Sequence, residues 1–84
     1  MKRSQKFIII PFRSIKGRFH VGEMRPASSE GGAVRIAELM AERFAGAAAF
    51  EVHVDEESGE MFSPRLIASF GKLPDLEEAM RDAA

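Results

Sequence analysis

The stretch RSIKGR is the part of the sequence whose side chains point most directly to a chemistry. It holds Arg13, Lys16 and Arg18 within six positions. Lysine and arginine clustered in this way neutralise the phosphates of nucleic acids, so these residues are the first candidates for phosphate contacts. Three further basic residues precede them in the chain, namely Lys2, Arg3 and Lys6.

The basic cluster belongs to an uneven distribution of charge. Residues 1–25 carry a net charge of +6 and residues 26–84 carry −7, which gives the whole chain a net charge of −1. This division predicts that oppositely charged parts of the chain meet, within one molecule or between two. The chain has no Tyr and no Trp on which nucleic-acid bases could stack. Nucleic-acid binding is therefore the alternative, and not the first interpretation of the sequence.

A second candidate anion site is the stretch RPASSEGG. Arg25, Ser28 and Ser29 stand just before a predicted helix, whose first backbone N–H groups have no partner inside the helix. Such an N-terminus can hold a phosphate, but no glycine-rich nucleotide-binding motif is present. The plainer interpretation is a capped helix start whose first turn tolerates Gly31 and Gly32.

Carboxylate and histidine side chains raise the question of a metal site. The loop DEESGE at residues 55–60 holds four carboxylates, but it lacks the glycine and glutamate spacing of an EF-hand. His20 and His53 face outward from predicted strands, and Glu51 would complete a site if those strands were neighbours. We predict instead a solvated hairpin tip and two surface histidines, with no metal ion and no cofactor.

No group of residues predicts catalysis. The chain has no cysteine, and it contains neither the GxSxG nor the HExxH motif. The sequence thus predicts a protein that is not an enzyme and that has no catalytic residue.

Length and composition predict one small folded domain spanning residues 1–84, with residues 1–5 expected to be flexible. The 84 residues are 45% hydrophobic and 30% charged. The apolar run at residues 7–10 is interrupted by Pro11 and is shorter than the core of a signal peptide. No segment approaches the ~20 apolar residues of a membrane span. We therefore expect a cytoplasmic protein without a membrane partner.

These side chains are positioned by a predicted ββαββα fold of the α+β class. Apolar residues at helical spacing from Ala33 to Phe44 predict one long helix, and a capping-box pattern at Asp75 predicts a short C-terminal helix. We expect a four-stranded, mainly antiparallel sheet with the long helix packed on one face. The first strand should be central, because it is apolar on both faces. The predicted strands are residues 6–13, 18–25, 48–54 and 65–70.

Glycine and proline residues mark the predicted ends of these elements. Gly17 and Gly59 supply the turns of two hairpins, and Gly22 marks a bulge in the second strand. Pro26 is expected to stop that strand, and Gly46 is expected to end the long helix as its C′ residue.

The last strand has a predicted position and a predicted face. It should begin after Pro64, lie at an edge of the sheet, and show Leu66, Ala68 and Phe70 on one face.

Several short motifs together resemble a group of short bacterial proteins that have no assigned activity. The motifs are IIIPF in the first strand, RPAS before the helix, ERFAG at its end, and SGE followed later by IASFGKLPD. The resemblance covers about residues 7–75 and rests on turn and core residues, so it implies a single-domain protein and carries over no functional residue. The order strand-helix-strand-strand-helix is also faintly similar to the peptidoglycan-binding SPOR domain. The extra strand at residues 18–25 and the missing export signal count against that family.

The sequence favours a small cytoplasmic interaction module that associates with itself as a homodimer, or with another protein. The first strand and the broad apolar arc of the helix offer more apolar surface than two helices obviously cover. The residues expected to make this contact are Ile8, Ile10, Phe12 and Leu39. The alternative is binding of a nucleic acid or an anionic ligand through the basic hairpin, with contacts from Arg13, Lys16, Arg18, Arg25, Ser28 and Ser29.

Overall fold

The computed structural model describes residues 3–74, which form one antiparallel sheet and one helix. In chain order the elements are β1 (Arg3–Ile15), β2 (Arg18–Val21), β3 (Arg25–Ala27), α1 (Glu30–Met40), β4 (Gly46–Asp55) and β5 (Met61–Gly71). The strands lie in the order β2-β1-β4-β5, and β3 also pairs with β1. The α+β class is confirmed, but the sheet of this part of the chain has five strands instead of four. The helix predicted from Asp75 onward lies outside the described residues.

β1 occupies the centre of the sheet, as its apolar composition predicts. It pairs with β4 along most of its length and with β2 and β3 along its other edge. Because successive residues of a strand point to opposite faces, Ile8 and Phe12 are buried on one face and Ile9 on the other. Residues 3–5, which the sequence predicts to be flexible, pair here with residues 53–55 of β4.

α1 packs on the sheet face that holds Ile9. Ala33 and Ala37 of the helix are fully buried against Ala47 and Ala49 of β4. Since these alanines have no atoms beyond Cβ, the helix and sheet backbones approach closely, and larger residues at these positions would overpack the contact. Larger, partly buried side chains surround the alanines, among them Phe7, Ile36, Met40, Ile67 and Phe70.

The opposite face of the sheet carries a second apolar cluster. Its members each expose no more than 7% of their surface, and they are Ile8, Phe12, Ala48, Phe50 and Val52. Ile10 is half-buried and packs against the same cluster. Ile8, Ile10 and Phe12, which the sequence predicts as self-association contacts, therefore pack within a single chain.

A bulge divides the predicted second strand into β2 and β3. Phe12 pairs with Val21 and Ile9 pairs with Arg25, so two residues of β1 face three residues of the partner. The bulge lies opposite Pro11, whose carbonyl oxygen accepts a hydrogen bond of 2.8 Å from the Gly22 N–H. Proline has no N–H of its own to donate, and bulges and edge strands are where sheets tolerate it. The bulge predicted at Gly22 is confirmed.

Pro26 does not stop this strand, in contrast to the prediction. It lies inside β3 and pairs with Ile8 of β1. β3 is at an edge of the described sheet, where a residue without an N–H can be accommodated.

The helix begins as predicted and ends earlier. The Ser29 side-chain oxygen accepts a hydrogen bond of 3.0 Å from the Gly32 N–H, so Ser29 is the N-cap. Gly31 and Gly32 lie in the first turn, which explains why two glycines are tolerated there. α1 ends at Met40, and Gly46 is the first residue of β4, so its predicted role as the C′ residue of the helix is wrong.

β5 is an edge strand, as predicted, but it is longer and more irregular than expected. Pro64 lies inside it instead of before it, and two register shifts interrupt its pairing with β4. Because of the first shift, Ile67 and Phe70 pack on the helix side while Leu66 is 45% exposed on the other side. The prediction that Leu66, Ala68 and Phe70 share one face is wrong for this reason.

Candidate functional site

The end of the β1–β2 hairpin projects beyond the rest of the described sheet. β4 begins at Gly46, opposite Phe12, so among the described strands only β2 lies beside the last residues of β1. Lys16 and Gly17 form the turn with φ angles of 52° and 79°, the two positive values that a type I′ hairpin turn requires. We call residues 13–21 the arm, and all of them are exposed.

One side of the arm is basic. Arg13 pairs with His20, and Ile15 pairs with Arg18, so these four side chains point the same way. Because side chains of β1 point alternately to the two faces of the sheet, these four lie on the same face as Ile9. α1 covers this face in the body of the sheet. The basic side of the arm is therefore continuous with the surface around the helix.

The other side of the arm is largely apolar. Phe19 and Val21 point to this side, together with Ser14, and Phe19 is 39% exposed. The predicted separation of Phe19 and Val21 from the basic residues of the same strand is confirmed.

A cleft of about 920 Å³ lies where the base of the arm meets the C-terminal end of α1. Arg13 of β1, Arg25 of β3 and Arg43 of the segment after α1 line this cleft. Its volume lies within the ~300–1,000 Å³ typical of ligand sites. We call it the arginine cleft; its apolar lining is formed by Ile36, Leu39, Met40 and Phe44.

The arginine cleft has an excess of positive charge. Among the described residues that line it, Glu42 is the one acidic residue, against three arginines. Among residues 3–74 the ion pairs are those of Arg65, so no carboxylate of this part of the chain lies within 4.0 Å of the three guanidinium groups. The C-terminal end of a helix contributes only about half a negative charge. The described lining of the cleft therefore carries a net positive charge.

Arg13 contacts an aromatic ring of the cleft. Its guanidinium carbon lies 4.9 Å from the centroid of the Phe44 ring, the distance of a cation–π contact. Since Arg13 also belongs to the arm, it joins the basic side of the arm to the arginine cleft.

The structure brings together part of the predicted anion-binding set. Arg13 and Arg25 share the cleft, while Lys16 and Arg18 lie on the neighbouring arm. Arg43 also lines the cleft, although no sequence pattern singles it out. The apolar pattern of the helix continues to Phe44, so the sequence does not show that the helix ends at Met40 and that Arg43 lies in the segment after it.

The two serines of the predicted anion site lie apart from this group. Ser28 and Ser29 precede the N-terminal end of α1, whereas the cleft lies at its C-terminal end. The Ser29 oxygen already accepts the hydrogen bond that caps the helix. Leu39, predicted as a self-association contact, is exposed and lines the cleft, and its role in self-association stays a prediction.

The candidate metal ligands do not assemble in the described residues. His20 lies opposite Arg13, and His53 lies opposite Gln5 on the far side of β1, so the two histidines are not neighbours. The acidic stretch forms the β4–β5 turn, with the predicted glycine, Gly59, at φ 76°. Within residues 3–74 no group of three acidic or histidine side chains is arranged to hold a metal ion.

An ion-pair network fastens the start of α1 to the sheet. The Arg65 guanidinium donates to Glu51 of β4 at 2.9 Å and to Glu30 of α1 at 3.2 Å. Gln5 of β1 donates to the same Glu51 carboxylate at 2.7 Å. The hydrogen bond from Arg65 lowers the pKa of Glu51 below its ordinary value of 4.5, and attraction to the Arg65 charge adds to this effect.

This network predicts a pH-dependent contribution to stability. A carboxylate whose pKa is lowered by folding stabilises the fold above about pH 4.5 and loses that contribution as the pH falls through its folded value. Arg65→Ala should therefore lower the free energy of unfolding at pH 7, and the difference from the native chain should shrink toward pH 3. Urea unfolding at both pH values measures this, with Arg35→Ala on the exposed side of α1 as the control. A difference that is the same at both pH values would contradict the role of the Glu51 charge.

α1, with 11 residues, is too short and too polar to cross a bilayer, and the described chain offers no longer apolar helix. The chain matches no protein-family model, no curated protein and no solved structure at a significant level.

Proposed function

We propose that this protein binds nucleic acid, with the phosphate backbone lying along the basic side of the arm and across the arginine cleft. The observation that carries the proposal is the position of Arg13. It pairs with the arm residue His20 and also lines the cleft beside Arg25 and Arg43. Two basic surfaces that meet at one residue form a continuous path for a chain of phosphates.

The acidic β4–β5 turn does not oppose this function, because it lies at the other end of β1 from the arm. β1 has 13 residues and spans about 40 Å from the acidic turn beside Arg3 to the arm. The molecule is 43 Å long. Salt screens exposed charges beyond about 8–10 Å under physiological conditions. A phosphate at the arm therefore interacts with the arginines and is screened from the carboxylates of residues 55–60.

The apolar surface that favours self-association in the sequence is smaller in the structure. Phe12 and Ile8 are buried within the chain and are not available to a second copy. The apolar side chains exposed on their face of the sheet include Phe19 and Val21 of the arm and Leu66 of β5. Basic side chains without a carboxylate partner in the described chain, by contrast, accumulate around the cleft. These two observations favour nucleic acid over a second copy of the protein.

Removing the cleft arginines is expected to weaken nucleic-acid binding and to reduce its salt dependence. For single strands the logarithm of the binding constant falls with the logarithm of salt concentration with a slope of about −0.7 per phosphate contact. Each of Arg13→Ala, Arg25→Ala and Arg43→Ala should therefore weaken binding about fivefold at ~0.1 M salt and make the slope about 0.7 shallower. Fluorescence anisotropy with a labelled oligonucleotide at several salt concentrations measures both effects.

Lys6→Ala is the matched control for these variants. Lys6 is exposed on the same strand as Arg13, about 23 Å along β1 and on the opposite face of the sheet. Lys6→Ala removes one positive charge, as each arginine variant does, and it should leave the affinity for the oligonucleotide and the salt-dependence slope nearly unchanged. Equal effects of Lys6→Ala and Arg13→Ala would mean that only overall charge matters, and the proposed interface would be wrong.

The same samples also decide whether self-association is the function instead. Self-association predicts a dimer that forms at ~100 μM protein, persists at ~0.5 M salt and is lost on Phe19→Ser. These results, together with no oligonucleotide binding at low salt, would favour a homodimer formed through the apolar side of the arm.

A further inference from the structure

We infer that the nucleic acid bound by this protein is single-stranded, with one unstacked base inserted into the arginine cleft between phosphates held by its arginines. This inference rests on the proposed function and adds the strandedness of the ligand and the position of a base.

The lining of the arginine cleft is the first reason. A surface that contacts only phosphates needs charged and polar groups, but this cleft also exposes large apolar side chains next to its arginines. Leu39 is 57% exposed, and Met40 and Phe44 are half-buried beside it. A nucleobase has an apolar face and is joined to charged phosphates, so a nucleotide matches both parts of the lining.

The contact of Arg13 with Phe44 is the second reason. The Arg13 guanidinium carbon lies 4.9 Å from the centroid of the Phe44 ring at the edge of the cleft, and this contact restricts the positions that the guanidinium group takes. Unstacked bases pack on arginine planes and aromatic rings in complexes with single strands. An arginine already ordered on a ring loses less freedom when a base packs against it.

The size of the cleft is the third reason. At about 920 Å³ the cleft has room for a nucleotide. A duplex keeps its bases paired and stacked, so it would have to extrude a base before the apolar lining could be used. A single strand presents its bases without that cost, and we therefore expect it to bind more tightly than a duplex of the same sequence.

The test compares three labelled probes with the full chain at ~0.1 M salt: a thymidine strand about 12 nucleotides long, the same strand without bases, and the matching duplex. The expected result is that the strand with bases binds about tenfold more tightly than the other two, within the range that packing of a base on a side chain provides. Leu39→Ala should weaken binding of the strand with bases and leave the abasic strand unchanged. Arg43→Ala should weaken binding of all three probes.

Leu66→Ala is the control, because Leu66 is an exposed leucine of β5 that does not line the cleft. It should change none of the affinities. Equal binding of the strand and its abasic form, or tighter binding of the duplex, would overturn this inference and leave the proposed function intact. Failure of all three probes to bind at low salt would overturn the proposed function itself.

Discussion

Gly46→Ala is expected to remove a large part of the stability of the fold. A Cβ atom at this position would collide with the carbonyl oxygen of Lys72, and it would lie 2.8 Å from the carbonyl oxygen of Phe70. Both are backbone atoms, so the first residues of β4 and the end of β5 must move apart to make room. Overpacking of this kind costs about 3 kcal/mol or more, out of a total of roughly 5–15 kcal/mol for a domain. Urea unfolding followed by circular dichroism measures the loss.

Gly31→Ala provides the control for this variant. A Cβ atom at Gly31 has no neighbour within 4 Å, and the residue lies in the first turn of α1. Alanine there should leave stability unchanged or raise it by about 0.4–1 kcal/mol, because it restricts the unfolded chain. If Gly46→Ala were as well tolerated as Gly31→Ala, the close approach of β4 and β5 at this point would be wrong.

The contrast between these two glycines shows which parts of the fold are predictable from local sequence. The role of Gly31 follows from its neighbours, since Ser29 supplies a cap and a first turn tolerates glycine. The role of Gly46 depends on Phe70 and Lys72, more than twenty residues away. A C′ glycine is therefore a reasonable but wrong prediction, because the sequence before Gly46 continues the helical pattern and contains no signal for the end of the helix at Met40.

The same distinction applies to the candidate site. The basic hairpin, its turn at Gly17 and the bulge at Gly22 are predictable, because glycine and alternating residues signal them locally. The projection of the arm is not predictable, since it depends on the register that places the start of β4 opposite Phe12. The cleft is not predictable either, because Arg43 reaches it only when the helix ends early and the chain turns back toward β1.

Phe12→Ala is expected to be the most destabilising substitution of a single large side chain in β1. Phe12 is 2% exposed and belongs to the apolar cluster on the sheet face opposite α1. Truncating a buried phenylalanine costs about 3–5 kcal/mol, through lost apolar burial and the cavity that remains. Phe19→Ala is the control, since Phe19 lies on the exposed arm and its truncation should cost much less. Thermal unfolding of the two variants measures the difference.

The dependence of this effect on protein concentration decides where Phe12 packs. The structure places the partners of Phe12 within one chain. In that case each protein, the native chain and Phe12→Ala, should have its own melting temperature, and neither value should change between about 5 μM and 100 μM protein. If Phe12 instead stabilised a dimer, dilution would lower the melting temperature of the native chain, because association favours the folded state by mass action. The melting temperature of the native chain could depend on concentration while that of Phe12→Ala does not. This result would show that Phe12 makes the self-association contact predicted from the sequence. A constant melting temperature in both proteins would exclude Phe12 from a dimer contact and confirm that its packing partners lie within one chain.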